Sequence, residues 1–320
     1  MKGKLLRVLL GVVLVAVMLA GCGTKGGETE SKKAEETDET YKVYLITMDQ
    51  MDQHWVNLDK GCQEAVKELG NVEYTWLAPD VKDDAKQIES INNAIAGGAN
   101  AIILAANGPD AVTATLEEAI ADGIKIIYVD SPANTEGEAT FSTDNEAAGK
   151  KAGETLLEAL KAKDVTSGDI GIINASAAST STVLREEGFR SAFEGTDFVL
   201  LETQYSEGDA AKSKDIAANY ITAGCVGIFG TNEGSSTGVG NAIQEVGDSE
   251  VLGVGFDKSD TLLQLVKDGY LVASMAQNPD VMGYEGLKAA VEVLQGKDLA
   301  GKVIDTGVSV ITADNVDDFK

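Results

Sequence analysis

Few side chains in this sequence are suited to catalysis, and their spacing argues against an enzyme. His54 is the only histidine, so a Ser-His-Asp triad would have to use it, and no Gly-x-Ser-x-Gly motif is present. Zinc sites need clusters of His or Cys, and the three cysteines are scattered at positions 22, 62 and 225. We therefore expect no catalytic residue, no metal site and no cofactor.

Asp130 and Asp257 come closest to a catalytic pattern, because each ends an apolar, strand-like run. Two such carboxylates could serve a glycosidase, so a secreted carbohydrate-active enzyme stays as an alternative. A structural interpretation also stands, because Asp commonly caps the helix that follows a strand. The glycine-rich stretch 230–240 lacks the ending and spacing of a phosphate loop, which indicates an ordinary strand-to-helix turn.

Apolar strands and amphipathic helices alternate along the chain. Continuous apolar runs include KVYLITM (42–48), NAIILAA (100–106) and IKIIYVD (124–130), and the cycle restarts with a helix at residues 145–162. Strands without polar alternation predict a parallel sheet that is covered by helices on both faces. We therefore predict an α/β fold with two Rossmann-like domains in tandem.

Several further elements are predicted from local signals. Pro109 favours a helix that opens at this residue, because proline suits the first helical position. Strands are predicted at residues 198–205, 270–277 and 303–312. Elements that follow two complete units indicate that the chain crosses between the domains near residues 144, 277 and 306. Sheets of this kind bind ligands at the carboxyl ends of their strands, so we expect a cleft there.

The N-terminal residues have the pattern of an export signal. Lys2, Lys4 and Arg7 precede a short apolar run at residues 8–18, which predicts a signal peptide over residues 1–21. Leu-Ala-Gly-Cys at 19–22 resembles the bacterial lipobox, and the resemblance implies a lipid on Cys22. An ordinary cleaved signal is the alternative. Residues 22–40 contain no large apolar side chain, which predicts a disordered acidic tether.

The remaining chain divides into two predicted domains. The first comprises residues 41–144 plus 278–306, and the second comprises residues 145–277 plus 307–320. The formal net charge is −26, and such acidity argues against binding to nucleic acid or to anionic lipid. Cys62 and Cys225 fall in different domains, so we expect buried free thiols rather than a disulfide.

Four stretches resemble the periplasmic sugar-binding proteins of the ribose and galactose type. They lie within residues 41–320 and read HWVNLDKGCQEAVKELG (54–70), REEGFRSAF (185–193), GVGFDKSD (253–260) and MAQNPDVMGYEGLKAAVEVLQGK (275–297). The resemblance implies the type I periplasmic binding protein fold, whose two domains are joined by a three-strand hinge and close around a ligand.

The resemblance also implies a set of ligand-binding residues. An aromatic wall, carboxylate acceptors, a guanidinium donor and two amides would together satisfy the hydroxyls and the C–H faces of a sugar. The residues that match are Asp52, His54, Trp55, Asp130, Arg185, Asn232, Asp257 and Gln277. Three positions depart from the ribose binders, which have an Arg at Ser131, an aromatic at Gly208 and an apolar aromatic at His54.

The interpretation that follows is a monomeric, extracytoplasmic lipoprotein of the cell envelope. It would capture a monosaccharide or related polyol and hand it to the permease of an ABC importer, with its lipid anchor as the only contact with the membrane. A lipoprotein that presents its ligand to a membrane receptor remains an alternative. The LacI-type repressors share this fold, but they begin with a basic helix-turn-helix where this chain has a signal peptide.

Overall fold

A computed structural model describes residues 40–177, 179–247 and 250–319. The predicted signal peptide, Cys22 and the tether, apart from residue 40, lie outside these ranges. Among the described residues, none of the helices combines the length and the apolar character that crossing a bilayer requires.

The first lobe is built on a six-stranded parallel sheet with the order β12-β5-β4-β3-β1-β2. Its elements are β1 (Tyr41–Ile46), α1 (Gln53–Leu69), β2 (Val72–Leu77), α2 (Asp84–Ala96), β3 (Ala101–Leu104), α3 (Thr113–Ala121), β4 (Lys125–Val129), β5 (Ala139–Ser142), α9 (Pro279–Leu294) and β12 (Lys302–Asp305). The last helix and strand are thus contributed by the far end of the chain.

The second lobe has a sheet with the order β13-β11-β10-β9-β6-β7, in which β8 also pairs with β6. Its elements are α4 (Asn145–Ala162), β6 (Ser167–Asn174), α5 (Thr180–Ala192), β7 (Asp197–Leu200), β8 (Gln204–Tyr205), α6 (Ala210–Thr222), β9 (Gly227–Gly230), α7 (Glu233–Val246), β10 (Leu252–Phe256), α8 (Asp260–Lys267), β11 (Ala273–Gln277), β13 (Val308–Ile311) and a 3-10 helix (Val316–Phe319). Among the described strands of this sheet, only β13 runs antiparallel to its neighbour.

Each sheet is buried on both faces, as the apolar strands predict. Along β3, Ala101 and Ile103 belong to one core cluster, whereas Ile102 and Leu104 belong to another on the opposite face. Successive strand residues point to opposite faces of the sheet. A sheet that is covered by helices on both faces therefore requires apolar residues at every position. The predicted α/β fold class is therefore confirmed.

Helix α5 lies unusually close to α4 because glycines occupy the crossing. A Cβ atom at Gly149 would lie 1.9 Å from the carbonyl oxygen of Arg185, and one at Gly188 would lie 1.9 Å from that of Glu146. Neither position accommodates a side chain without movement of the backbone. The pair of glycines therefore fixes the position of α5, and with it the position of the Arg185 backbone from which the side chain extends.

The three connections between the lobes are hydrogen-bonded to one another. The amide of Asp144 donates to Oδ1 of Asp305 (2.9 Å), and Nδ2 of Asn278 donates to the carbonyl of Thr306 (3.0 Å). The amide of Thr306 donates in turn to the carbonyl of Ser142 (2.9 Å). These bonds join the crossings into one hinge, which completes the predicted architecture.

Four local predictions need correction. The strand predicted at 303–312 is divided into β12 and β13, which belong to different sheets because the chain crosses between the lobes there. Pro109 does not open a helix, because residues 108–112 form turns on the carbonyl of Gly108 and α3 begins at Thr113. The strand predicted at 198–205 is divided into β7 and β8. The strand predicted from residue 270 begins only at Ala273, because the amides of Tyr270 and Leu271 both donate to the carbonyl of Leu265 and complete the end of α8.

The cysteine prediction is confirmed. Cys62 and Cys225 are buried and unbonded to each other, and Sγ of Cys62 donates to the carbonyl of Gly283 (3.2 Å). Burial raises the pKa of the Cys62 thiol, which keeps it in its protonated form.

Candidate ligand-binding site

An open cleft of about 1000 Å³ lies between the carboxyl ends of the two sheets. Side chains from both lobes and from the hinge line it. All eight residues predicted from the sequence are among them, namely Asp52, His54, Trp55, Asp130, Arg185, Asn232, Asp257 and Gln277. The fold therefore brings the predicted set together from six separate segments of the chain.

Asp130 and Asp257 occupy equivalent positions in the two lobes. Each directly follows a buried strand, and each has a positive φ, 60° for Asp130 and 72° for Asp257. Such a conformation is uncommon for residues other than glycine and concentrates at functional sites. The capping interpretation fails for both, because β4 is followed by strand β5 and the cap of α8 is Ser259. The carboxylates are free to face the cleft.

Arg185 is held almost completely buried, with 4% of its surface exposed. Its Nε donates to Oδ1 of Asn145 (2.8 Å), its Nη1 donates to the carbonyl of Thr231 (3.0 Å), and its guanidinium lies 3.7 Å from the ring centroid of Phe256. The neighbouring carboxylate of Glu186 pairs with Arg190 instead (2.8 Å). The orientation of the guanidinium is thus set before any ligand arrives.

Asp257 is the centre of a polar network that reaches the hinge. Its Oδ2 accepts from the amide of Glu233 (3.0 Å) and lies 3.9 Å from Nη1 of Arg185. Its Oδ1 accepts from Nε2 of Gln277 (2.9 Å), whose Oε1 accepts in turn from Thr143 (3.1 Å). One carboxylate is therefore linked to two of the three connections between the lobes.

Asp130 is paired with the histidine that departs from the ribose-type pattern. Nε2 of His54 lies 3.0 Å from Oδ2 of Asp130, and the hydroxyl of Ser131 donates to Oδ1. Burial lowers the pKa of His54, but contact with Asp130 and the charges of Asp257 and Asp52 outweigh it and raise the pKa overall. Burial likewise disfavours the Asp130 carboxylate, yet contact with His54 lowers its pKa to about 2. The pair therefore favours imidazolium and carboxylate.

Trp55 lines the cleft but is mostly covered. Only 4% of its surface is exposed, and it packs in the core of the first lobe. Its ring meets that of His54 edge to face, with centroids 4.7 Å apart. Trp55 therefore supports His54 and the cleft wall, and the face that it offers to a ligand in this conformation is small.

Asp52 and Asn232 both cap helices. Oδ1 of Asp52 accepts from the amide of His54 at the start of α1 (3.0 Å), and its Oδ2 lies 3.6 Å from Nζ of Lys82. Oδ1 of Asn232 accepts from the amide of Ser235 (3.1 Å) in a capping box at the start of α7. The amide group of Asn232 thus keeps only its Nδ2 donor for a ligand.

Several residues of the cleft were not predicted. Asn145, which orients Arg185, directly follows the first crossing at the start of α4, and Glu233 follows Asn232 in the first turn of α7. The available signals were the predicted crossing near residue 144 for Asn145 and the neighbouring site residue Asn232 for Glu233. Among the described residues, no group of three or more His, Cys, Asp or Glu side chains is placed so that it could hold a metal ion.

A family model described as "Periplasmic binding protein domain" matches residues 43–298. The chain belongs to this family. The match spans both lobes and all but the ends of the described chain, which confirms the resemblance identified from the four stretches. A protein of this family is a solute-binding protein and not an enzyme, as the sequence predicted.

Individual periplasmic binding proteins agree with the family model. The ribose import binding protein RbsB of Escherichia coli strain K12 is 30% identical over 257 residues, which cover 78% of this chain and 83% of the relative. A sugar-binding protein of a sugar ABC transporter from Bacillus halodurans superposes with a TM-score of 0.81 at 25% identity, covering 88% of this chain and 100% of that chain. The arabinose-binding protein AraP from Geobacillus stearothermophilus gives 0.80 at 27% identity, covering 88% and 99%.

Proposed function

We propose that the protein captures a monosaccharide or related polyol in the cleft between its lobes. The observation that carries the proposal is the convergence of two carboxylates, a pre-oriented guanidinium and two amides from both lobes. Carboxylates accept from hydroxyls, the guanidinium donates, and the amides supply further hydrogen bonds. The relatives are named for ribose and arabinose, and these sugars carry hydroxyls that both donate and accept hydrogen bonds.

Thermal unfolding in the presence of candidate ligands tests the proposal. A panel of monosaccharides, polyols, nucleosides and small acids is compared on the purified full chain in mild detergent. A ligand present at 100 times its Kd adds about 2.7 kcal/mol to the free energy of unfolding, which gives a clear rise in Tm. A rise with one or two sugars supports the proposal, and a rise only with another chemical class contradicts the sugar assignment.

Variants place the ligand in the cleft. Arg185→Ala and Asp257→Ala are expected to abolish the rise in Tm, because each removes a charged partner of the ligand. Glu158→Ala, on the exposed face of α4, serves as the matched control and keeps the rise. Retention of the full ligand effect in both cleft variants would refute binding at this site.

Delivery to an ABC importer and anchoring through Cys22 belong to the same proposal. Family membership and the importer-associated relatives support the first, and the lipobox-like Leu-Ala-Gly-Cys at 19–22 supports the second. One acyl chain binds a membrane only marginally, so a stable anchor implies more than one chain on the modified cysteine. Cys22→Ser is expected to move the protein from the membrane fraction to the soluble fraction, and its retention at the membrane would contradict the anchor.

A further inference from the structure

A second cavity, here called the annex, adjoins the ligand cleft. It has a volume of about 830 Å³ and shares seven wall residues with the cleft, including Asp130, Ser131 and Asn145. The two spaces therefore adjoin at the carboxylate that is paired with His54. The annex extends beyond the polar groups assigned above to the sugar.

The walls of the annex differ in character from those of the cleft. Apolar side chains of Pro109, Ala133 and Leu184 contribute to it. Ala106 lies at its floor and is almost fully buried. A wall of this kind favours an apolar group, because it exchanges contact with water for contact with carbon atoms.

Three polar side chains in the walls of the annex, those of Asn107, Asn134 and Asp305, are bonded within the protein. Nδ2 of Asn107 donates to Asp84, and Nδ2 of Asn134 donates to Asp110. Oδ1 of Asp305 accepts from the amides of Asp144 (2.9 Å) and Gly307 (2.8 Å). Because these atoms are already bonded, they offer a ligand hydroxyl less than the carboxylates and the guanidinium of the cleft do.

A small residue lies at the boundary between the cleft and the annex. Ser131 lines both spaces, and its hydroxyl is turned to Oδ1 of Asp130. The Asp130 carboxylate therefore borders two spaces. On one side is the cleft, where the sugar would bind, and on the other is the annex, into which a substituent of that sugar would extend.

We propose that the preferred ligand is a glycoside with an apolar aglycone. The sugar occupies the cleft, in accordance with the proposed function on which this inference rests, and the aglycone occupies the annex. An aryl or alkyl group on the anomeric oxygen has the required chemistry, because it adds apolar surface without adding hydrogen-bond donors.

Calorimetric titration of the full chain in mild detergent tests the proposal. Each monosaccharide of the panel is compared with its methyl glycoside and its phenyl glycoside. For the sugar that binds, the phenyl glycoside is expected to bind at least about tenfold more tightly than the methyl glycoside, a difference of about 1.4 kcal/mol. The methyl glycoside controls for loss of the anomeric hydroxyl.

Variants of the annex locate the added affinity. Leu184→Asp is expected to remove most of the phenyl-specific gain and to leave binding of the methyl glycoside unchanged. Val183→Asp is the matched control, because Val183 is the neighbouring half-buried residue on α5 and lines neither space. Ala133→Leu, which fills the annex without adding charge, is expected to act as Leu184→Asp does.

The outcomes separate the two proposals. If free sugars bind in the cleft and phenyl glycosides bind no more tightly than methyl glycosides, the annex assignment is wrong and the proposed function stands. An equal loss of the phenyl-specific gain in Val183→Asp and Leu184→Asp would also overturn it. If no sugar and no glycoside of the panel binds, both proposals fail together.

Discussion

The two carboxylates of the cleft have different cationic partners. Asp257 lies beside Arg185, a permanent cation, whereas Asp130 lies beside His54, whose charge depends on pH. The cationic partner whose charge depends on pH therefore lies in the first lobe. Ligand affinity should depend on pH through His54 rather than through Arg185.

The raised pKa of His54 leads to a prediction at the scale of single residues. Because this is the only histidine, its ring resonances in an NMR titration are unambiguous. We expect a pKa above the ordinary 6.5 in the native chain and a marked fall in Asp130→Asn, which removes the main partner that raises it. Asp52→Asn is the control and should lower the pKa less. An unchanged value in Asp130→Asn would contradict the pairing.

The same pair makes stability depend on pH in a defined direction. The raised pKa of His54 stabilises the fold below about pH 6.5, and that contribution is lost as the pH rises through the folded pKa. The pKa of Asp130, lowered to about 2, stabilises the fold above about pH 4 and is lost on acidification towards pH 2. The difference in urea midpoint between the native chain and Asp130→Asn should therefore be largest between about pH 4 and pH 6.5.

At the scale of elements, Asn232 combines a structural role with a proposed binding role. Its Oδ1 caps α7, whereas its Nδ2 is available to a ligand. Asn232→Ala is expected to lower the free energy of unfolding by about 1 kcal/mol, because the cap is lost. Asn232→Ser keeps a capping oxygen and should retain most of this stability while weakening ligand binding as much as Asn232→Ala does. Calorimetry and urea unfolding of both variants separate the roles, and full affinity in Asn232→Ser would exclude Nδ2 as a contact.

The crossing of α4 and α5 links packing to the site. Gly149→Ala places a methyl group against the backbone of Arg185, so we expect a loss of about 1–3 kcal/mol in the free energy of unfolding. Ligand affinity should fall as well, because the backbone that bears Arg185 must move. Glu158→Ala, exposed on the same helix, should change stability by less than about 0.5 kcal/mol. Equal urea midpoints for Gly149→Ala and the native chain would show that the crossing relaxes freely.

At the scale of the whole molecule, the hinge and the ligand site share side chains. Gln277 joins Asp257 to Thr143 at the first crossing, so contacts with a ligand act directly on the connections between the lobes. A ligand that touches both lobes favours the closed form by its additional contacts there.

Small-angle X-ray scattering measures the expected closure. The radius of gyration should fall when a saturating ligand is added, because the lobes approach each other. Asp257→Ala, which removes a contact of the second lobe, should show no change under the same conditions. The absence of compaction in the native chain at proven saturation would rule out closure by the hinge.

Much of the fold and of the site could be predicted because the signals are local. The continuous apolar strands at 100–106 and 124–130 indicate burial on both faces without reference to any partner. Asp130 and Asp257 could be placed in the cleft because the carboxyl ends of parallel strands meet at one edge. The turn at Pro109 and the late start of β11 were missed, because both depend on hydrogen bonds that compete with the local propensity.

The sequence by itself determined the two α/β units and the return of the chain through the hinge, since periodicity is a property of the chain alone, and the resemblance of its four stretches to the family implied the side chains that line the cleft. Only the tertiary structure decided how those side chains are used. It paired His54 with Asp130, bound Arg185 to Asn145 and directed Oδ1 of Asn232 to its own helix. The physical reason is that burial, charge and hydrogen bonding depend on atoms that the chain brings together from distant positions.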